Sequence, residues 1–272
     1  MKIKEIYVKG LWSEHDLEWK LTPGVNILSG GNGSGKSTVL RCLGDLFSQG
    51  ELSSQNICLI DRLRVVFDDG TEIDSTSRFD PSPYNVKVIS TFDMSLRAGD
   101  DLSRLTGRMV STQLDWELYK LNNEYLSYQL EVSNQIIDAL SRGEQTEGYL
   151  TKRRLFFDTI DSLFEHSDKQ MVRTDNNLNF TVGCRKITPY QLSSGEKQII
   201  IILTHALISG GEQTIMIMDE PEISLHFDWQ RRLIRDILQL NPNLQLILAT
   251  HSPAVVMDGW VDCVSEINEL FI

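Results

Sequence analysis

The sequence predicts an α/β fold, a mixed sheet flanked by helices and interrupted by a helical insertion. Three observations predict it. Near-continuous apolar strands stand at Val25–Ser29, Thr214–Met218 and Leu244–Ala249, and strands of that kind are buried on both faces, as in parallel sheets covered by helices. A glycine-rich turn joins the first of these strands to a helix-forming stretch, Thr38–Leu43. Between about 95 and 170 strand character gives way to helical periodicity.

The elements follow in order. Runs at 3–9, 17–21, 25–29, 64–67 and 86–90 read as strands, separated by turn signals such as Pro23-Gly24 and Asp68-Asp69-Gly70. Leu114, Leu118, Leu121, Tyr125, Tyr128, Val132, Ile136 and Leu140 recur in steps of three and four, marking a long amphipathic helix. Tyr119, Leu126, Leu130 and Ile137 form a second stripe on it. A helix apolar on two sides is buried between neighbours or covers a partner. Gly143 to Gly148 breaks the pattern, and a second helix is expected at about 149–166. A helix around 228–240 lies between the last two apolar strands. The expectation is one domain spanning 1–272, with an insertion near 95–170.

Composition narrows the partners. The net charge of −12 does not support a phosphate-backbone grip, and the basic cluster Lys152-Arg153-Arg154 reads as a solvated helix face or a protein contact. No apolar run approaches bilayer length, and the N-terminus lacks a signal-peptide core. The four cysteines are scattered, as expected for reduced thiols of a cytoplasmic protein.

Site chemistry begins at residues 30–38. The spacing of Gly30, Gly35, Lys36 and Ser37 fits a phosphate-binding loop between a strand and a helix. Backbone N–H groups of Asn32, Gly33, Ser34, Gly35 and Thr38 can converge on phosphate oxygens, backed by the positive end of the helix. Lys36 is placed to reach the β- and γ-phosphates, and Ser37 to put its hydroxyl on Mg²⁺. A nucleoside triphosphate is the expected ligand. Asp219 ends an apolar strand, where a Mg²⁺-binding carboxylate belongs. Glu220 beside it suits a general base for an attacking water. Ser193 followed by Glu196 is a capping box, and the same hydroxyl and helix N-terminus suit a second phosphate contact together with Gly195. His251 ends the strand Leu244–Ala249 and faces the same crevice, placed to sense the γ-phosphate.

In this order, these elements resemble the ATP-binding cassette (ABC) ATPases. Gly30–Thr38 corresponds to Walker A, Leu192–Gln198 to the signature motif, Ile215–Glu220 to Walker B, Ser224-Leu225-His226 to the D-loop and His251 to the switch histidine. The resemblance implies a P-loop NTPase head of ABC type that binds ATP and Mg²⁺ and hydrolyses ATP. The loop Asn32–Ser37 after Pro23–Asn26, the ending Gly195-Glu196-Lys197-Gln198 and Ala249–Pro253 resemble the soluble branch of SMC-type, RecF-like and OLD-family ATPases. Small ATPases of prokaryotic defence systems are especially similar. Two departures stand out: the Q-loop glutamine is not evident at Thr91-Phe92-Asp93-Met94, where Asp93 is the candidate substitute, and Ser194 replaces the signature's first glycine.

The resemblance further implies a homodimer with ATP at the interface. One chain supplies Lys36, Ser37, Asp219, Glu220 and His251; the other supplies Ser193 and Gly195. The expected role is a switch that regulates or drives a protein effector in DNA maintenance or anti-phage defence. The chain ends soon after His251, leaving no expected room for a nuclease domain of its own. A RecF-like DNA clamp, the ATP-binding subunit of a membrane transporter and a non-hydrolysing ATP-gated module are the alternatives.

Overall fold

The computed structural model describes residues 1–89 and 110–272. The expected Q-loop position, Thr91–Met94 with Asp93, and the first part of the expected insertion lie outside the described residues. Three sheets and their helices make up the rest. An antiparallel sheet of order β2-β1-β4-β5 uses β1 (Ile3–Leu11), β2 (His15–Lys20), β4 (Arg62–Phe67) and β5 (Glu72–Asp74). A five-stranded sheet of order β12-β3-β11-β10-β6 uses β3 (Val25–Ser29), β6 (Val86–Ile89), β10 (Ile215–Asp219), β11 (Gln245–Ala249) and β12 (Val264–Glu266). Each of its neighbouring pairs is parallel. Both strand directions expected from the sequence are thus present, divided between sheets. A small antiparallel sheet joins β7 (Lys169–Met171), β8 (Phe180–Val182) and β9 (Arg185–Ile187).

The apolar central strands are buried on both faces because each face meets a different layer. Side chains alternate along a strand. Ile215, Ile217, Ile247 and Ala249 pack with α1 (Lys36–Gln49) and with Ile6, Val8 and Leu63 of the antiparallel sheet. Met216, Met218, Leu246 and Leu248 point the other way, into a core shared with α2 (Gln113–Ser141), α3 (Glu147–Leu163), α4 (Ser194–Ile208) and α5 (Phe227–Leu240). Helix α4 is apolar on nearly all sides and almost wholly buried, as expected of a helix enclosed by neighbours. Two buried polar side chains lock the layers in register. Gln245 accepts from the Ile3 amide at 2.8 Å and donates to the Ile3 carbonyl at 2.7 Å, tying β1 to β11. Asn26 closes the Thr22–Val25 turn by accepting from the Thr22 amide at 2.7 Å.

Helix α2 begins at a capping box between Thr112 and Asp115. Its first half packs as the periodicity predicts, with Leu114, Leu118, Leu121 and Tyr125 buried. The second half does not: Leu130, Ile137 and Leu140 are 64%, 62% and 62% exposed. A 29-residue helix reaches about 43 Å at 1.5 Å per residue, so it outruns the neighbours that cover its base. Among the described residues, no helix is long and apolar enough to cross a membrane.

Candidate nucleotide site

The parallel sheet sets the site. Loops after β3, β10 and β11 leave its C-terminal edge side by side, where ligands bind in open α/β sheets. The loop after β3 leads into α1 at Gly35, whose φ of 101° lies in the left-handed region. A Cβ there would come within 2.8 Å of Leu11 Cδ2, so both backbone shape and space demand glycine. Asn32–Thr38, Arg41, Trp12, Glu220 and His251 line a cavity of about 470 Å³, within the roughly 300–1,000 Å³ range of small-ligand sites. A larger cavity of about 670 Å³ lies between α2, α3 and the start of β6, among Lys87, Glu124 and Lys152. It contains no phosphate loop, so the nucleotide belongs in the smaller one.

Lys36 is the electrostatic centre of that cavity. It is only 3% exposed, and its ammonium donates to the carbonyls of Gly30 at 3.0 Å and Gly31 at 3.1 Å. His251 Nε2 lies 2.8 Å away on the third side. Burial lowers the Lys36 pKa, against the pull of Glu220 and Asp219. Among the described residues no carboxylate forms an ion pair with it, and a buried ammonium without one is costly. The Ser34 hydroxyl in the same loop is buried and, among the described residues, has no hydrogen-bond partner. A vacant donor and an unneutralised cation at a helix N-terminus fit an incoming phosphate.

The loop after β10 supplies the acids. Ser37 Oγ donates to Asp219 Oδ1 at 2.9 Å, joining the two residues expected to hold Mg²⁺. Burial raises the Asp219 pKa. The hard oxygen donors of Ser37 and Asp219, with phosphate oxygens and waters, suit Mg²⁺. Among the described residues no group of three His, Cys, Asp or Glu side chains could hold a metal without that help.

Glu220 has a positive φ of 49°, unusual for a non-glycine residue and typical of a strained functional position. The twist turns its carboxylate toward β11, where Oε2 accepts from the His251 amide at 3.2 Å and Oε1 lies 3.3 Å from His251 Nε2. Burial, reinforced by the neighbouring Glu222 carboxyl, pushes its pKa up to about 7. A carboxylate with that value is poised for proton transfer near neutral pH.

Ser193 and Gly195 do not line this cavity. Ser193 is the exposed N-cap of α4 and forms the predicted capping box with Glu196, whose Oε2 accepts from its hydroxyl at 3.0 Å. Glu196 is itself held by Lys169 at 2.7 Å. Gly195 packs against the next loop so tightly that a Cβ would fall 2.2 Å from the Ser224 carbonyl oxygen. One helical turn further on, Gln198 donates to the Pro221 carbonyl at 2.8 Å. The signature helix is therefore fastened to the loop after β10 while its N-terminus faces solvent. Sequence reading missed Trp12, Arg41 and Glu222. Trp12 sits far upstream of the phosphate loop, and only the β1–β2 turn, with φ of 55° at Trp12, brings its indole against Gly35.

Fold and site together define an ABC-type P-loop NTPase. The chain belongs to the AAA_21 family, described as "AAA domain, putative AbiEii toxin, Type IV TA system", whose model matches residues 112–258, more than half of its length. It is similar to the Septu protein PtuA of Bacillus thuringiensis, with 26% identity over 316 aligned residues, covering 98% of this chain and 74% of that one. It is 25% identical over 217 residues to the Retron Vc95 probable ATPase of Vibrio cholerae serotype O1 biovar El Tor, covering 72% of this chain but only 40% of that protein. The fold is similar to a crystal structure of the Smc head bound to the C-terminal winged-helix domain of ScpA, with a TM-score of 0.52 at 16% identity, covering 95% of this chain and 92% of that one.

Proposed function

We propose that the chain binds and hydrolyses ATP at a site completed by a second copy of itself. The observation that carries this reading is the separation within one chain. Lys36, Glu220 and His251 meet in one cavity, while Ser193 stands exposed at a helix terminus outside it, with Gly195 buried beside it against the Ser224 carbonyl. A two-fold arrangement brings each signature helix to the other chain's phosphate loop. ATP then favours the closed pair, and hydrolysis removes the contact that holds it.

Residue roles follow from position. Lys36 holds the β- and γ-phosphates, and Ser34 donates its free hydroxyl to them. Ser37 and Asp219 hold Mg²⁺, which screens the phosphate charge when bound. Glu220 takes a proton from the attacking water. His251 exchanges its Lys36 contact for one to the γ-phosphate. Glu220 acts only as a carboxylate, so kcat/KM should fall as pH drops through about 7. A pH–rate profile measures this, and Glu220→Gln should lack that acid limb.

Trp12 is 37% exposed at the cavity mouth, where its ring offers a stacking face to the base. Trp12→Ala should weaken ATP by about five- to tenfold, the magnitude of about 1 kcal/mol of stacking. Calorimetry with inorganic tripolyphosphate, which has no base, should show unchanged affinity.

In this reading residues 1–272 form one ATPase domain in the cytoplasm, with an insertion near 95–170 that contacts an effector protein. Similarity to proteins named Septu protein PtuA and Retron Vc95 probable ATPase supports a role in defence. The net charge of −12 disfavours a DNA clamp. Affinity capture with Glu220→Gln in ATP and in ADP tests the switch: a soluble effector should be retained in ATP only.

A further inference from the structure

We propose that Glu222 is a positioning residue of this site: its carboxylate clamps the turn after β11 and thereby holds His251 against Lys36 and Glu220. The proposal rests on the ATPase reading above, and its observations are independent of the motifs. Strands β10 and β11 pair as far as Asp219 and Ala249, with a last backbone bond from the Glu220 amide to the Ala249 carbonyl at 2.9 Å. Glu222 takes over there. It is 7% exposed, and its Oε1 accepts from the Thr250 hydroxyl, from the His251 amide at 3.1 Å and from the Ser252 amide at 3.1 Å. Three donors on one oxygen fix the backbone that carries the imidazole.

The clamp is linked to the catalytic carboxylate through a shared donor. The His251 amide lies between Glu222 Oε1 at 3.1 Å and Glu220 Oε2 at 3.2 Å, so the backbone of His251 is held by both acids and its ring faces the one with φ of 49°. The two carboxyls also act on each other, with Glu222 holding the Glu220 pKa up. The same turn is braced from outside by Ser252 Oγ, which donates to Gln230 at 2.7 Å. Glu222 therefore sets where His251 stands without touching the nucleotide itself.

Glu222→Ala and Glu222→Gln test the proposal by steady-state ATP turnover, ATP affinity and amide hydrogen exchange of nucleotide-free protein. Glutamine keeps an acceptor oxygen where Oε1 stands; alanine does not. Glu222→Ala should lower kcat by between about tenfold and a hundredfold, the usual result of small misplacements, with ATP affinity within about threefold of wild type. Faster exchange should be confined to 249–252, and Glu222→Gln should restore both turnover and protection to within about threefold. Wild-type kcat in Glu222→Ala would overturn the proposal. So would equal loss in both variants with protection retained in glutamine, since charge and not the clamp would then matter. If Glu222→Ala unfolds, Thr250→Val removes one arm of the clamp and should give the same localised exchange; unchanged exchange there overturns the proposal. Absence of turnover in wild type would sink the ATPase reading, and the exchange measurements would still decide the clamp.

Discussion

Glu220→Gln should bind ATP with near-native affinity while turnover falls by roughly 10²–10⁴-fold, the contribution of a positioned general base. The substitution preserves shape and removes the proton acceptor. It also removes a burden on the empty protein, because a carboxyl pushed up to about 7 by burial and by Glu222 resists ionisation. The folded protein ionises Glu220 reluctantly, so the stability its protonated form contributes is complete below about 4.5 and is lost as pH rises through about 7. Glu220→Gln should therefore melt at the same temperature or higher above pH 7. Single-turnover kinetics measures the chemical step and calorimetry the binding. A variant with unchanged turnover would show that another group takes the proton.

Lys36→Ala should produce the second large effect, on binding. Charge-assisted hydrogen bonds contribute about 1.5–3 kcal/mol each, which corresponds to about ten- to a hundredfold weaker ATP. The empty protein should respond in the opposite sense. Lys36 is buried against two carbonyls and a histidine, with no carboxylate partner among the described residues, so its ammonium is expensive until phosphate arrives. Its removal should leave the melting temperature unchanged or raised, a trade between stability and function common at binding sites. Calorimetric titration and thermal melts on one preparation check both halves. Equal ATP affinity in the two proteins would remove Lys36 from the phosphate site.

Glu220 and Lys36 were legible in the chain where several of their neighbours were not. Gly30–Thr38 is readable because backbone convergence on phosphate demands glycine at fixed spacing, as Gly35 illustrates through its left-handed φ and its contact with Leu11. The central strands are readable because burial on both faces removes polar alternation. Their two faces are not distinguishable in sequence: Ile217 and Met218 are equally apolar, yet one packs on α1 and the other on the helical layer. Strands of three residues at 169–187 are too short to display a period. The α2 stripe is legible along its whole length, but periodicity reports an apolar face, not whether a neighbour covers it. Leu130 and Ile137 belong to the stripe and remain exposed. Glu222 and Trp12 have local sequences that carry no signal, because their roles arise from strand ends and turns that meet only in three dimensions.

In the proposed dimer, one chain's phosphate loop works with another chain's signature helix. Mixing Lys36→Ala with Ser193→Arg tests it most directly. At ATP near the wild-type KM, each variant alone should turn over little ATP, since every site in its own dimer lacks one half. A mixed dimer contains one site with both halves intact, and equal mixing places half the chains in such dimers. Turnover should rise to about one quarter of the wild-type rate. A mixture that stays at the sum of its two parents would contradict the shared site.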